Sequence, residues 1–393
     1  MREAIRVLYL SDTGGRMGGA AYSLLSLIRR LDRSAVAPYA LLGSDGDFAD
    51  ALRGLGVDVE VSALEPIVRS YNPFSILRSI RRLIAGAGKV RRVVREKSIR
   101  IIHANDNTVV FHAVVPAMLT GSKSVWHVRS PVQRLGRVGA FLVKHSDALV
   151  FCSDSNAAPF RKFFPKYTQK VFVACEGVDA PALVEQSQRP SIRQEYDIPP
   201  DVPLVGIVGR ITRIKGQDEF LKAAVIVSKL EPKVRFVVVG APVAGSREAL
   251  EADSAYADEI KQLAGKLSVA DKTIFTGYRH DAPAVMKDLT VLAVPSRREG
   301  LGLVALEAMA LGVPVVVSSA GGLPELVTNE VNGLVVPPNA AGALGLAIVR
   351  LLENRQLAKR LAEEGRKTAA RFTADAHAKI VSDVYRLIAG GRA

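Results

Sequence analysis

This chain of 393 residues has few cysteines, few aromatic residues and no long apolar run, and each shortage argues against a class of protein. Its two cysteines, Cys152 and Cys175, lack metal-type spacing, which disfavours a disulfide framework or a zinc site and favours a reducing compartment. Aromatic residues make up 6% of the chain, which is little for base stacking, and no nucleic-acid recognition motif is evident. No segment approaches the ~18 apolar residues of a membrane-spanning helix.

The first residues, M-R-E-A-I-R-V-L-Y-L-S, contain an apolar run of about six residues, which is too short for the core of a secretion signal. We interpret them as the first strand of the fold and expect the protein to be cytoplasmic.

The net charge of +14 is concentrated in residues 66–100, where ten Lys or Arg residues stand against one acid, Glu96. Apolar residues lie between the basic ones at helical spacing, as in a helix that rests on a membrane surface. We therefore predict that this segment binds anionic lipid and holds the protein peripherally on the cytoplasmic membrane face; the alternative is an ordinary solvated helix. The basic residues are Arg69, Arg78, Arg81, Arg82, Lys89, Arg91, Arg92, Arg95, Lys97 and Arg100, and the apolar ones are Ile76, Leu77, Ile80, Leu83 and Ile84.

Short apolar runs alternate with helical patterns along the chain, and the alternation restarts after residue 203. The length suggests two domains, and the β-α-β-α rhythm predicts an open parallel sheet with helices on both faces in each. The Pro-rich segment 190–203 is interpreted as the linker. Because ligands of such sheets bind beyond the carboxyl ends of the strands, we expect the chemistry in a crevice between the two halves. Predicted strands cover residues 5–10, 39–42, 57–61, 101–103, 124–128, 148–152, 170–174, 204–208, 234–239, 273–276, 290–294, 313–317 and 333–336.

Helical patterns fill most of the intervals between these strands. One of them has a clear start signal, with Asn72 as N-cap and Pro73 at the first helical position, and Gly86 and Gly88 are candidates to break it into two pieces. Predicted helices cover residues 20–31, 48–55, 73–97, 108–119, 217–230, 258–266, 282–288, 303–311, 341–353, 356–371 and 374–389.

Two carboxylates eight positions apart, Glu299 and Glu307, lie in the segment R-E-G-L-G-L-V-A-L-E-A-M-A-L-G-V-P-V-V. The first lies in a Gly-containing loop and the second about one turn inside the helix predicted over 303–311. Free backbone N–H groups at a helix N-terminus favour an anion. The arrangement therefore suits a ligand with hydroxyl groups and phosphates.

Cations and glycines follow other predicted strands. Arg210 and Lys215 lie between a strand end and a helix start, which fits a diphosphate, although they could be plain surface cations. The loop S-D-T-G-G-R-M-G-G after the first strand can bring backbone close to a ligand, although it could be only a tight turn. It is not G-x-G-x-x-G, and no acid closes the second strand, which disfavours a dinucleotide dehydrogenase.

Among the histidines, His127 is favoured as a site residue because it lies near the carboxyl end of the run S-V-W-H-V-R. The other histidines are interpreted as structural. Asp45-Gly46-Asp47 has the D-x-D form of a metal–nucleotide site, but its context predicts a turn.

Taken together, these motifs resemble the retaining glycosyltransferases of family 4, over nearly the whole chain. The resemblance rests on G-G-x-x-G-G, G-R-I-T-R-I-K-G, F-T-G-Y, P-S-R-R-E-G-L-G-L-V-A-L-E-A-M-A-L-G-V-P-V-V, A-G-G-L-P-E-L-V, E-G-V-D and N-G-L-V-V-P-P. It implies an α/β protein of GT-B fold, in which two Rossmann-like domains face each other across a cleft. The implied domains are an acceptor-binding domain at 1–185, a donor-binding domain at 200–370, and a C-terminal helix at 371–393 that packs back on the first domain.

The resemblance also implies roles in donor binding. Glu299 would contact the hydroxyls of the transferred sugar. Arg210 and Lys215, with backbone amides near Gly302 and Leu303, would bind the donor diphosphate. No metal or cofactor is expected, because cations and helix N-termini can stabilise the leaving group.

The remaining implied contacts come from both domains. Glu307 would hold the ribose hydroxyls, and Tyr278 and Arg279 lie where the base is contacted. Gly15 would approach the phosphates or the sugar, and His127 would lie beside the sugar. The expected reaction is front-face transfer, with retained configuration, from a UDP- or GDP-linked sugar to a lipid-linked or cell-envelope glycan. Nucleic acid is not expected as a partner.

The sequence departs from the family at two places and leaves other functions open. Glu176 replaces the usual Asn of N-G-V-D, and R-F-T-A-D-A lacks an aromatic residue after the Thr. The alternatives are a sugar-nucleotide epimerase of similar fold, which needs no acceptor, and a nucleotide- or glycan-binding protein that has lost catalysis. The intact set of Glu299, Glu307, Arg210 and Lys215 argues against the second.

Overall fold

The computed structural model describes residues 3–12, 14, 15, 17–64, 73–129, 132, 136–242 and 247–390. The chain divides into two compact units, each described here by itself. Unit 1 consists of residues 1–176 and 374–393, and unit 2 consists of residues 177–373. Residues 177–185, which the sequence assigns to the first domain, therefore belong to unit 2.

Unit 1 is built on a seven-stranded parallel sheet. The strands are β1 (Ile5–Ser11), β2 (Val36–Leu42), β3 (Asp58–Val61), β4 (Ile101–Ala104), β5 (Lys123–Val128), β6 (Ala148–Phe151) and β7 (Val171–Val173). They pair in the order β3-β2-β1-β4-β5-β6-β7. The central strands are apolar and buried on both faces, as expected where helices cover both sides of a parallel sheet.

Helices of unit 1 connect these strands. They are α1 (Gly19–Arg30), α2 (Asp47–Gly54), α3 (Pro73–Glu96), α4 (Val110–Thr120), α5 (Arg137–His145) and α6 (Asp154–Phe163), and a 3₁₀ turn covers Pro165–Lys170.

Helix α3 is continuous, so the predicted break at Gly86 and Gly88 is wrong. A Cβ atom on Gly86 would lie 2.6 Å from the His112 ring of α4. Gly86 therefore allows the two helices to approach closely, and a single glycine costs a helix only about 1 kcal/mol. The proposed N-cap, Asn72, lies outside the described residues, as does Arg69.

Unit 2 repeats the architecture with a six-stranded parallel sheet. Its strands are β8 (Leu204–Val208), β9 (Arg235–Val239), β10 (Thr273–Gly277), β11 (Val291–Val294), β12 (Val315–Ser318) and β13 (Leu334–Val336), in the order β10-β9-β8-β11-β12-β13. Its helices are α7 (Ala180–Gln186), α8 (Ile192–Glu195), α9 (Gln217–Leu230), α10 (Arg247–Lys266), α11 (Ala282–Lys287), α12 (Leu303–Leu311), α13 (Leu323–Leu326), α14 (Ala341–Glu353) and α15 (Arg355–Ala369), with 3₁₀ turns at Arg213–Lys215 and Ala270–Lys272. The predicted class, α/β with two Rossmann-like domains, is confirmed.

The segment 190–203 is not an interdomain linker, because it lies inside unit 2. Ser191 caps α8 and bonds to Asp288, and Ile192 is buried. The Arg193 guanidinium donates to the carbonyls of Asp288, Pro199 and others, at 2.9–3.3 Å. The prolines and polar residues therefore form a bonded edge of this unit.

The last helix, α16 (Ala374–Ile388), belongs to unit 1 and packs on α1 and β6. The Tyr385 hydroxyl lies 3.1 Å from the Tyr9 hydroxyl and 2.6 Å from His103 Nδ1. Its docking therefore does not depend on the aromatic residue missing from R-F-T-A-D-A. None of the helices within the described ranges is long and apolar enough to cross a membrane.

Candidate active site

The order of strands in unit 2 reverses between β8 and β11. From β8 the chain proceeds to β9 and β10 on one side, whereas β11, β12 and β13 follow on the other. At such a reversal the connections run to opposite faces of the sheet, and the carboxyl ends of the two strands, here β8 and β11, are the usual ligand site. The loop after β8 carries Arg210 and Lys215, and the loop after β11 carries Glu299.

Lys215 and Glu299 meet at this point although they are far apart in sequence. The Lys215 Nζ lies 2.8 Å from both carboxylate oxygens of Glu299. Their side chains are 26% and 10% exposed, respectively. The two residues predicted to handle a phosphate and a sugar are thus one charge-assisted pair.

Glycines fix the loop around Glu299. Gly321 has φ +57°, and a Cβ atom there would lie 1.9 Å from the Glu299 carbonyl oxygen. Gly302 has φ +106° and precedes α12, so it offers no side chain to the first-turn amides, which begin at Leu303. These amides suit an anion, as the sequence predicts. Glu307, also on α12, is half-buried.

Arg210 follows β8 and is the most exposed of these charged residues. Its side chain is 44% exposed and lies 3.9 Å from the Asp253 carboxylate, at the outer limit of an ion pair. Its carbonyl accepts a hydrogen bond of 2.9 Å from Gln217. The backbone of Arg210 is thus fixed by this bond, while its side chain remains partly exposed.

Arg279 makes ion pairs within unit 2. Its guanidinium donates to both carboxylate oxygens of Asp281 at 2.8 Å and to Glu195 at 2.8 and 3.0 Å. These bonds, chiefly those to Asp281, raise the pKa of Arg279. The neighbouring Tyr278 ring packs edge-on against His280, with centroids 4.8 Å apart. Any contact from Arg279 to a base would therefore compete with two carboxylates.

In unit 1 the order of strands reverses between β1 and β4, where the Gly-rich loop begins. A Cβ atom on Gly14 would lie 2.0 Å from the Ser44 carbonyl oxygen, and the carbonyls of Gly14 and Gly15 accept from the Phe48 amide at 3.0 and 3.2 Å. This part of the loop thus packs on α2. A Cβ atom on Gly18, at the start of α1, would meet none of the described residues within 4 Å. Space for a ligand therefore lies at that end of the loop.

Two carboxylates lie at the same edge of the sheet, after β1 and β4. Burial and the neighbouring Asp106 raise the pKa of Asp12 to about 6. Of the predicted turn Asp45-Gly46-Asp47, Asp45 binds Arg53 at 2.8 Å, and Asp47 is already the first residue of α2. Within the residues that the structure describes, no three His, Cys, Asp or Glu side chains are grouped as metal ligands would be.

His127 is fully buried at the end of β5 and belongs to a cluster of rings. Its Nδ1 lies 3.3 Å from His103 Nε2, and its ring stacks on His377 with centroids 5.6 Å apart. His103 in turn contacts Tyr385, and His377 Nδ1 lies 3.1 Å from the carbonyl of Cys175. Strand β5 and helix α16 are joined through these rings.

The surroundings of His127 determine its tautomer. The Arg129 Nη2, which can only donate, lies 3.5 Å from His127 Nδ1. We therefore assign Nδ1 as the acceptor and Nε2 as the nitrogen that carries hydrogen. This Nε2 is buried and has no hydrogen-bond partner among the described residues. A nitrogen that carries hydrogen cannot act as a base.

All three ring-cluster histidines are neutral in the folded protein. Burial, followed by the charge of Arg129, holds the pKa values of His103 and His127 well below the ordinary value. Burial also lowers the pKa of His377, against a smaller opposing effect of Glu176. At neutral pH each therefore retains a single ring proton.

Arg129 and Glu176 form a buried ion pair beside these rings. Arg129 also donates to the Asn105 carbonyl at 2.7 Å, to the Asn105 side chain at 2.8 Å and to Ser23 at 2.7 Å. Glu176, the departure from N-G-V-D, is thus the counter-charge of this arginine. The next turn is unaffected, because Asp179 still caps α7 through the Ala182 amide.

Sequence reasoning missed the partners that hold the site together. Arg129 and His377 contact His127 directly, whereas Glu176 reaches it through Arg129 and Tyr385 through His103. Because the signal of such a cluster is spatial, only the pairing of β4 with β5 could have suggested that His103 lies near His127.

Two family models match the chain. Residues 188–368 match the model described as Glycosyl transferases group 1, and residues 17–180 match the one described as Glycosyltransferase Family 4. The structure is similar to that of Anabaena Alr3699/HepE in complex with UDP and glucose, with a TM-score of 0.79, 22% identity, and coverage of 98% of this chain and 100% of that one. At that identity the likeness shows the fold.

Curated relatives agree with the family matches. The chain is 33% identical over 270 residues to a D-inositol 3-phosphate glycosyltransferase of Segniliparus rotundus, covering 68% of this chain and 58% of that protein. It is 27% identical over 290 residues to the lipopolysaccharide core biosynthesis mannosyltransferase LpsB of Rhizobium meliloti, covering 73% and 79%. The chain spans less than two thirds of the length of the inositol phosphate enzymes that it matches. With both units matched and the fold shared, the chain belongs to glycosyltransferase family 4, group 1, with the GT-B fold.

Proposed function

We propose that this protein transfers a sugar from a nucleotide-diphospho-sugar to a hydroxyl acceptor, with the donor bound by unit 2. The observation that carries the proposal is the Lys215–Glu299 pair at the reversal of strand order, beside the uncapped start of α12. The named activities of the two relatives and the UDP and glucose bound by the Anabaena protein support it.

Donor binding would exchange the partners of this pair. A diphosphate carries more negative charge than one carboxylate, so it competes for the Lys215 ammonium. The Glu299 carboxylate then becomes available to accept hydrogen bonds from sugar hydroxyls. Arg210, half-exposed beyond β8, would add a second positive charge to the diphosphate.

The chemical step follows from this distribution of charge. The bond from the anomeric carbon to the diphosphate oxygen breaks, and the acceptor oxygen bonds to that carbon from the same face, with retention of configuration. The acceptor proton passes to the departing phosphate oxygen. Lys215, Arg210 and the amides of α12 stabilise the charge on the leaving group, so the proposal requires no metal.

Other residues would orient the donor. We assign Glu307 on α12 to the ribose hydroxyls, and the strand-end segment around Tyr278 to a uracil or guanine base. Arg279 is a weaker candidate for base binding than the sequence predicts, because carboxylates already occupy its guanidinium. His127 would donate from Nε2 to a sugar or acceptor oxygen, which is a binding role.

For the acceptor we propose a lipid-linked or cell-envelope glycan, reached from the cytoplasmic membrane face through the first half of α3. Phe74, Leu77 and Ile84 are 82%, 49% and 64% exposed. Arg78 and Arg81 are exposed between them. An apolar stripe flanked by arginines is the pattern of a helix that lies in an anionic lipid surface.

The second half of α3 offers no apolar contact to that surface, because Val90, Val93 and Val94 are buried. Leu83, which the sequence assigns to the lipid-facing set, is buried in unit 1, and Arg92 binds Glu60 at 2.7 Å. The proposed lipid contact is therefore confined to the residues before Leu83 and to Ile84.

A transfer assay tests the proposed reaction. The protein is incubated with UDP- and GDP-linked sugars and a lipid-linked glycan, with and without EDTA. We expect transfer from one donor, unaffected by EDTA, and a loss of about 100-fold or more in Glu299→Ala, because that variant loses its contact to the sugar. The control Glu330→Ala removes an exposed carboxylate of the same unit and should behave as wild type.

Three outcomes would contradict this assignment. Near wild-type turnover of Glu299→Ala would show that Glu299 does not contact the transferred sugar. Isomerisation of the donor without acceptor would indicate an epimerase, and donor binding without any turnover would indicate a binding protein.

Vesicle sedimentation tests the membrane contact. Binding to phosphatidylcholine vesicles should require phosphatidylglycerol and should be lost when Arg78, Arg81 and Arg82 are all changed to Glu. A control with the same change in net charge should still bind; it replaces Lys261, Lys266 and Lys359, which are exposed in unit 2. Equal loss in both variants would mean that only the net charge matters.

A further inference from the structure

Arg297 precedes the carboxylate of the candidate site by two residues and makes a dense set of contacts. Its Nε donates to the Asn339 side chain at 2.6 Å, and its Nη1 donates to the Arg213 carbonyl at 2.6 Å. The two Nη atoms bind both oxygens of Asp218, at 2.8 and 2.7 Å, and Nη2 lies 3.4 Å from Glu219. These bonds join the loop after β11 to the loop after β8 and to the start of α9.

The backbone of Arg297 strengthens the same junction. Its amide donates to the Ile214 carbonyl at 2.7 Å, so two successive carbonyls of the 3₁₀ turn Arg213–Lys215 are bound by one residue. Just after this turn, Gly216 has φ +76°, and a Cβ atom there would lie 2.4 Å from the Pro295 carbonyl oxygen. The turn that carries Lys215 is therefore held from both sides by the segment before Glu299.

The central ion pair of this junction is firmly ionised at neutral pH. Burial alone would raise the pKa of Asp218, but hydrogen bonds from Arg297 and Tyr256 outweigh it and bring the pKa to about 2. The Arg297 side chain is only 28% exposed, so water screens the pair incompletely. A planar guanidinium that binds a carboxylate with two parallel bonds also fixes direction, which a lysine could not do.

We infer that Arg297 is a positioning residue for the donor site, which holds Lys215 opposite Glu299 without touching the donor. The inference rests on the proposed function, since it names how the diphosphate-binding lysine is placed. Lysine has a long flexible side chain, so the geometry of its ammonium depends on a fixed backbone. Without the Arg297 side chain the turn loses its contact at the Arg213 carbonyl and the tie to Asp218, although the backbone contact to Ile214 remains, and Lys215 no longer has one favoured position.

A double-mutant cycle tests this inference by titration calorimetry with UDP and with GDP as probes. Arg297→Ala should weaken binding of the nucleoside diphosphate about tenfold when Lys215 is present, and less than about twofold in a Lys215→Ala background. The thermal unfolding midpoint is measured without nucleotide. Any fall that Arg297→Ala causes in it should be the same in the Lys215 and the Lys215→Ala backgrounds. The control Arg350→Ala, an exposed arginine paired with Glu330, should leave binding unchanged.

The outcomes separate this inference from the proposed function. If wild-type protein binds neither UDP nor GDP, the proposed function fails. If wild type binds but Arg297→Ala binds equally well, or weakens binding equally in both backgrounds, the positioning role is wrong. Should Arg297→Ala not fold, Arg297→Lys keeps the charge but loses the paired bonds, and the same cycle is expected to show a smaller loss.

Discussion

Acidification should destabilise unit 1 through its buried histidines. An unfolded histidine takes up a proton near pH 6.5, whereas His103, His127 and His377 resist protonation because burial lowers their pKa values. The unfolded state therefore binds more protons below pH 6.5, and the free energy of unfolding falls with the pH. Stability from these groups is complete above about pH 7 and decreases as the pH drops through 6.5.

The magnitude follows from the number of protons. Each histidine that stays neutral costs about 1.4 kcal/mol of stability per pH unit below pH 6.5, so His103 and His127 together cost about 3 kcal/mol per pH unit, and His377, whose pKa is also lowered, adds to this. Asp12 acts in the opposite direction: its pKa of about 6 is raised, so the folded state takes up a proton first and gains about 1 kcal/mol between pH 6 and 5. The expected net loss over that interval from His103, His127 and Asp12 is about 1.5 kcal/mol, to which His377 adds.

The sequence provides a reporter for this measurement. Trp126, the single tryptophan, lies in β5 next to His127, so its fluorescence follows unit 1. Urea unfolding at pH 7.5, 6.5, 6.0 and 5.0 gives the free energy from the midpoint and slope. His377→Gln removes one buried ring of lowered pKa and should reduce the pH dependence of the free energy of unfolding. His145→Gln, at the end of α5 and outside the cluster, is the matched control.

The reasoning would be refuted by unfolding midpoints of the Trp126 signal that stay constant from pH 7.5 to 5.0. It would also be refuted if His377→Gln and wild type lost stability equally with acid, since the histidines would then not be the groups that resist protonation.

Two further substitutions test packing and charge in unit 1. Glu176→Gln leaves the buried Arg129 without its counter-charge and should lower the free energy of unfolding by about 3 kcal/mol in urea titrations, whereas a change below about 1 kcal/mol would mean that solvent compensates the arginine. Gly86→Ala should lower the free energy of unfolding, because its Cβ would lie 2.6 Å from the His112 ring. Gly88→Ala, in open space on the same helix, should instead raise the free energy of unfolding by up to about 1 kcal/mol. Equal effects at the two positions would contradict the packing argument.

Local sequence signals predicted the elements that have sharp boundaries. Leu303–Leu311 lies between two glycines in the left-handed region, and both the prediction and the structure end it at the same residues. Helix α10 begins at Arg247, whereas the sequence predicts its start at residue 258. The prediction missed the first half of the helix because that half is polar and has weak apolar periodicity. Segment 190–203 was wrongly predicted to be a linker because of its prolines and polar residues. Its bonds to Asp288 and other partners come from distant parts of the chain and cannot be recognised in a local pattern.

The candidate site was predictable in its residues and not in its geometry. Lys215 and Glu299 were identified from nearby glycines and predicted helix starts. Their 2.8 Å contact, however, depends on β8 and β11 being neighbours in the sheet. The order of strands cannot be predicted from the periodicity of apolar residues. The supporting residues, Arg297 and Arg129, look like ordinary surface charges in the sequence. Only their partners from distant segments reveal a structural role.

The discontinuous course of unit 1 has a consequence for biosynthesis. Residues 177–373 form a closed insertion whose ends are tied together, since the Val178 amide donates to the Phe372 carbonyl at 3.0 Å and Val178 bridges Thr373. On the ribosome, unit 2 can therefore fold as soon as it emerges. Unit 1 must wait for α16, because Tyr385 completes the contacts of Tyr9 and His103. The first part of the chain to be made is thus the last to be completed.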